Sequence, residues 1–189
     1  MNTTPSRLWV VAAGITLLAS CGPQLATTTV PMASRASVSS SDGSLAGTLH
    51  AQVNDFRTAS GRKALSRHAG LDRMAQQHCE FMRANRGKFG KSNLTHYGFE
   101  ERALAAQRMM SMSNVGENIG TCSGTGKSSA SVLVNAWKNS SGHMKNMKGD
   151  WSATGIGAVV DSDGTVFATQ IFATENHSHM ALTNRMRQF

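Results

Sequence analysis

Three short phrases of this chain set ionisable side chains among residues suited to turns and helix ends. They are Leu94-Thr95-His96, Gly116-Glu117-Asn118-Ile119, and Trp137-Lys138-Asn139-Ser140-Ser141-Gly142-His143-Met144-Lys145-Asn146. Together they supply two imidazoles and one carboxylate. Two histidines and a glutamate, with one position left for water, suit zinc or a similar divalent cation. Without a metal, the same groups suit a general base and the partner that orients it. Glu117 stands beside Ile119, which reads as buried, so its carboxylate must be paired, hydrogen-bonded or metal-bound. A bracing role, with Glu117 and one histidine holding this segment against the helices, would use the same residues.

Other chemistry is weaker. Ser140 and His143 are three residues apart and could touch on a helix, but no acidic orienter is evident, so a serine hydrolase is not expected. Ser140 and Ser141 read as turn and capping groups. His78 and Cys79 are adjacent, and adjacent helical residues point about 100° apart. His177-Ser178-His179 lies in a polar tail and reads as solvated. His50 and His68 read as surface residues, Trp137 as core beside the site, and Trp151 as core or rim.

The elements that must position these groups read as helices followed by strands. Leu45, Leu49, Val53 and Phe56 mark one face of a helix ending at Ser60-Gly61. Leu71, Ala75, His78, Cys79 and Met82 mark a second, closed by Gly87. A third is expected from Phe99 to about Met110. A fourth starts near Ser128 or Ser129, carrying Val132, Leu133, Ala136 and Trp137, and a short helix is expected to run through Met147. Asn114 to Gly120 reads as a short extended segment. Gly155–Val160 and Thr165–Phe172 read as strands joined by a hairpin at Asp161-Ser162-Asp163-Gly164. Helices segregated from an antiparallel sheet define an α+β domain, expected over residues 43–174. The tail, 175–189, shows no clear period and is expected to be loosely attached.

The amino terminus addresses the chain to the envelope. Arg7, an apolar run from Leu8 to Leu18 and then Ala19-Ser20-Cys21 describe an export signal over residues 1–20, too short to span a bilayer stably. Leu18-Ala19-Ser20-Cys21 resembles a bacterial lipobox, which implies lipidation of Cys21 and a membrane anchor; an ordinary signal peptide cleaved nearby is the alternative. Gly22 at the next position gives a weak preference for the outer membrane in a two-membrane host. Residues 21–42, rich in Ser and Thr, read as a disordered tether. With Cys21 lipidated, Cys79 and Cys122 remain as an even pair, and in an oxidising compartment a disulfide is expected. The chain carries 19 Lys+Arg against 11 Asp+Glu; loss of the leader removes only Arg7 and leaves +7. The basic residues are dispersed and read mainly as a solvated surface. For an exported chain the polymers within reach are anionic lipid, peptidoglycan and other envelope polymers, and nucleic acid is not expected.

The order of the motifs resembles the CAP superfamily (cysteine-rich secretory, antigen 5, pathogenesis-related 1), in its small bacterial branch. Asn54-Asp55-Phe56-Arg57 followed by Gly61 and Leu65 resembles that branch's N-x-x-R-x-x-x-G-x-x-x-L opening. Thr95-His96 stands where the family has Ser-His, and Gly116-Glu117-Asn118-Ile119 matches directly. Trp137 to Asn146 resembles W-x-x-S-x-G-H-x-x-N, and Ala168-Thr169-Gln170-Ile171-Phe172 resembles the last-strand Y-T-Q-V-F. The resemblance covers residues 45–173. It implies an α-β-α sandwich with a large cleft, in which His96 and Glu117 carry over as two members of a His/Glu tetrad. The other two positions hold Ser140 and, near the last strand, Phe167; His143 belongs to the bacterial variant. Because the tetrad is incomplete, catalysis is not favoured. The expected function is a lipid-anchored envelope domain whose cleft, with His96, Glu117, Ser140 and His143, binds a small apolar or glycan ligand or an envelope protein. The alternative is a metal-assisted hydrolase of peptide or cell wall, with Glu117 as base and His96 and His143 as ligands.

Overall fold

The computed structural model describes residues 44–186 except Lys91, without the side chains of residues 179, 180, 183 and 184. The signal, Cys21 and the tether to residue 42 lie outside the described residues. Helix α1 (Leu45–Ala59) starts where the Ser44 hydroxyl accepts from the Gly47 N–H at 3.0 Å, and it turns Leu49, Val53 and Arg57 inward. Strand β1 (Ser66–Arg67) and α2 (Ala69–Ala84) follow, then α3 (Phe99–Met110) and β2 (Met112–Cys122). Helices α4 (Ser129–Lys138) and α5 (Ser141–Lys148) precede strands β3 (Ala153–Val160) and β4 (Val166–Glu175). The chain then forms α6 (His177–Met186), a helix where sequence periodicity gave none.

The sheet order is β1-β3-β4-β2. Strands β2, β4 and β3 are antiparallel, as expected, whereas β1 adds two residues parallel to β3, so the sheet is mixed. Both faces are covered, which makes the architecture an α-β-α sandwich. One face packs Leu49, Val53, Leu133, Trp137 and Met147 of α1, α4 and α5 onto Ile156, Ala168 and Phe172. The other packs Leu71, Ala75, Cys79 and Met82 of α2 against Ile119, Phe167 and Ile171. Side chains alternate between faces along a strand, so β2 sends Glu117 and Ile119 toward α2 and Asn118 and Gly120 toward α4 and α5.

Helix α2 lies unusually close to β3. A Cβ on Gly155 would stand 2.1 Å from the Leu71 carbonyl carbon, and one on Gly157 would stand 2.3 Å from the Gln76 nitrogen. Glycine at these two positions is therefore what lets backbone meet backbone. Strand β2 is an edge strand, and side chains occupy its carbonyls: Gln107 donates to Ser113 O, Asn146 to Glu117 O and Trp137 to Ile119 O at 2.9–3.1 Å.

Two residues read from sequence as surface groups brace the fold. His50 Nε2 lies 2.7 Å from Leu65 O, which Asn54 also binds. Arg57 is 1% exposed and donates to the carbonyls of Lys63, Met147 and Gly149, tying α1 to the end of α5.

The expected disulfide is absent. Cys79 and Cys122 are both free and buried, and they sit in core clusters on opposite faces of the sheet. Cys79 Sγ bonds to Thr169 Oγ1 at 3.3 Å, and Cys122 Sγ contacts Thr125 Oγ1 at 3.3 Å. Burial pushes the Cys79 thiol up to about 12. Cysteine counting failed because it carries no information about which side of a sheet each thiol faces. Alkylation should accordingly find both thiols only after unfolding, and reductant should leave the thermal midpoint unchanged.

Candidate functional site

Glu117 lies in the middle of β2, 5% exposed, and three side chains surround its carboxylate. Arg102, from the first turn of α3, spans the carboxylate: Nε donates to Oε2 at 2.9 Å and Nη2 to Oε1 at 2.8 Å. Its Nη1 donates to Tyr97 O at 2.9 Å, so the same guanidinium also fixes the loop that carries His96. His96 Nδ1 donates to Glu117 Oε1 at 2.9 Å, which leaves its Nε2 as the other ring position. His78, on the inner face of α2, lies 3.9 Å from Oε1 and donates its Nε2 proton to Thr95 O at 2.8 Å.

This environment sets the protonation states. Burial alone would raise the Glu117 carboxyl, but the hydrogen bonds from His96 and Arg102, with the Arg102 charge, outweigh it and hold the group below its ordinary value. Burial is also the main cause that lowers His78 to about 4, against a smaller opposing pull from Glu117. At neutral pH the cluster therefore holds one carboxylate against one guanidinium and a neutral His78. A carboxylate held this way is a weak base, because a general base needs a pKa near the working pH.

His143 approaches from α5, on the side of β2 that carries Asn118. Its carbonyl accepts from Asn118 Nδ2 at 3.2 Å, and Asn146 Nδ2 donates to both Glu117 O and Asn118 Oδ1. The Trp151 indole donates to Asn146 O at 2.7 Å and its ring stacks on Phe172. The His143 ring is 2% exposed, and neither of its nitrogens has a hydrogen-bond partner. Burial, with a smaller contribution from nearby His96, lowers it to about 4. Ser140 stands at the N-cap position of α5, but its hydroxyl makes no cap hydrogen bond and is likewise buried and unpartnered. The capping role expected for Ser140 is thus not fulfilled by its side chain.

The structure brings His96 and Glu117 together directly. His143 is bonded to neither and stands within electrostatic range of His96. Sequence reasoning missed His78 and Arg102. His78 left a trace as a polar residue on the apolar stripe of α2, whereas Arg102, after Glu100 and Glu101 in the first turn of α3, looks like part of a solvated face.

A divalent cation does not fit these residues. Both Glu117 oxygens are already engaged by Arg102 and His96, and the guanidinium stands where the cation's charge would be needed. Among the described residues no group of three or more His, Cys, Asp or Glu is arranged to hold a metal ion. A second surface feature adjoins His96: the Tyr97 ring, 68% exposed, stacks on Phe81 at 5.7 Å and 13°, with Phe89 beside both.

The α-β-α sandwich, with His96 of the loop before α3 paired to Glu117 of β2, accords with the class that the sequence shows. The cysteine-rich secretory protein family, CAP, matches residues 50–172, and the chain belongs to it. Among solved structures it is similar to an outer surface protein from Borrelia burgdorferi, with a TM-score of 0.58 and 17% identity over 71% of this chain and 95% of that one. It is also similar to a cysteine-rich secretory protein from Staphylococcus aureus, with a TM-score of 0.52 and 16% identity over 69% of this chain and 38% of that one. At these identities the likeness concerns the fold. No curated protein matches the chain.

Proposed function

We propose that this CAP-domain protein is an exported, lipid-anchored envelope protein that binds a small apolar or glycan ligand, or an envelope partner, and does not catalyse metal-assisted hydrolysis. One observation carries the reading: Arg102 and His96 together occupy both oxygens of Glu117. Three of its roughly four acceptor positions are filled and a guanidinium lies against it, so this carboxylate is poorly placed to hold a cation and too weak a base to take a proton. The signal-like amino terminus with Cys21 supports export and anchoring, and bacterial surface and secreted proteins of the same fold accord with it.

Elemental analysis of the purified chain tests the negative half. Zinc should be substoichiometric in the wild type and unchanged in His96→Ala and His143→Ala. One zinc per chain, lost in both variants, would overturn the binding reading in favour of a metallohydrolase. The positive half predicts that some apolar or glycan compound raises the thermal midpoint, because a ligand that binds only the folded form must do so.

A further inference from the structure

Ser140 and His143 bury three polar atoms that have no hydrogen-bond partner within the protein: Ser140 Oγ and both ring nitrogens of His143. Ser140 immediately precedes α5 and His143 lies in its first turn, so both stand at the same helix end. We propose that this pair is the recognition element of the binding site and that its ligand is a neutral, hydroxyl-bearing molecule, a sugar. The proposal rests on the binding reading above and gives it a ligand class.

The chemistry of the pair selects that class. A neutral imidazole offers one donor and one acceptor, and a serine hydroxyl offers both. Adjacent hydroxyls of a pyranose ring present the same pattern. Burial keeps His143 uncharged at neutral pH, with a pKa of about 4. A buried anion would need a facing cation, and the nearby cations are committed elsewhere. Arg102 holds Glu117, and Arg57 holds the carbonyls of Met147 and Gly149. Lys138 and Lys148 stand over the Phe56 ring, and Lys145 is on the exposed side of α5. The amino terminus of α5 adds backbone donors suited to a hydroxyl oxygen. His96, with about a quarter of its side chain exposed, is the partly open group within electrostatic range of His143.

A polar group retained for a ligand differs from one retained for folding in the sign of its effect on the unliganded protein. Removing a buried hydroxyl that has no partner does not destabilise a fold. Thermal unfolding of the purified chain, alone and with chitotriose, octanoate or inorganic phosphate, separates the cases. Chitotriose should raise the wild-type midpoint. Ser140→Ala should unfold at the wild-type midpoint or above it when unliganded, and should weaken chitotriose binding by about tenfold or more. His143→Leu should weaken it at least as much. A lower unliganded midpoint for Ser140→Ala would assign the hydroxyl to folding and overturn the proposal. Survival of the chitotriose shift in both variants, or stabilisation by phosphate in place of the sugar, would overturn it too. If octanoate stabilises and chitotriose does not, the sugar class falls while the binding reading stands; if no probe stabilises the chain, the sugar class falls and only the envelope-partner form of that reading stands.

Discussion

Replacing Arg102 with leucine should destabilise the protein by about 3–5 kcal/mol, the usual cost of leaving one partner of a buried ion pair uncompensated. Glu117 has 1% of its side chain exposed and Arg102 only 15%, so solvent screens the pair little. His96 would remain as a single hydrogen bond to a carboxylate that burial already disfavours. The double variant Arg102→Leu/Glu117→Gln should recover most of the loss, since it removes the buried charge and keeps an acceptor for His96. Urea unfolding of the two single variants and the double would measure the coupling. Additive losses in the double variant would show that the pair does not act as a unit.

Acid should destabilise the protein well before ordinary carboxylates titrate. His78 and His143 take up a proton near 6.5 in the unfolded chain but only at about 4 in the folded one. Between those values the unfolded state binds more protons, so stability falls as pH drops from about 6.5 to 4 and is flat above. Each imidazole accounts for about 2–3 kcal/mol of that loss, from about 1.4 kcal/mol per unit. Glu117 acts in the same direction at lower pH: its depressed carboxyl contributes above its ordinary value of 4.5, and that contribution is lost as pH falls through the folded pKa. Denaturation at pH 7, 5.5 and 4.5 would trace the slope, and His143→Leu should remove about half of it between 6.5 and 4. A flat profile over that window would mean that both rings are solvated.

The sequence made the site legible where chemistry and local pattern coincide, and hid it where contacts are tertiary. His96 and Glu117 could be paired because both sit in turn-like phrases whose order is characteristic. Arg102 could not, because a cation in the first turn of a helix with two acidic neighbours has the pattern of a solvated face. Only the packing of α3 over β2 turns it toward Glu117. His78 carried an ambiguous signal: the periodicity that placed it on the buried face of α2 could not say that a carboxylate lies opposite. The helices and the β3–β4 hairpin followed from spacing and turn residues. Strand β1 did not, since two residues have no periodicity, and neither did the α6 helix in the polar tail. The cysteine pair failed for a topological reason, because one thiol faces α2 and the other faces α4.

The side chains set against the outer carbonyls of β2 have a consequence for association between molecules. An open strand edge is a template on which another chain can add a strand. Here Gln107, Asn146 and Trp137 take three of those carbonyls from three different helices. The strand that carries Glu117 is thereby closed to backbone pairing, and anything that joins this side of the domain must be read through side chains. At high local density a domain with an open edge would be exposed to sheet-to-sheet polymerisation, and this edge is built to refuse it.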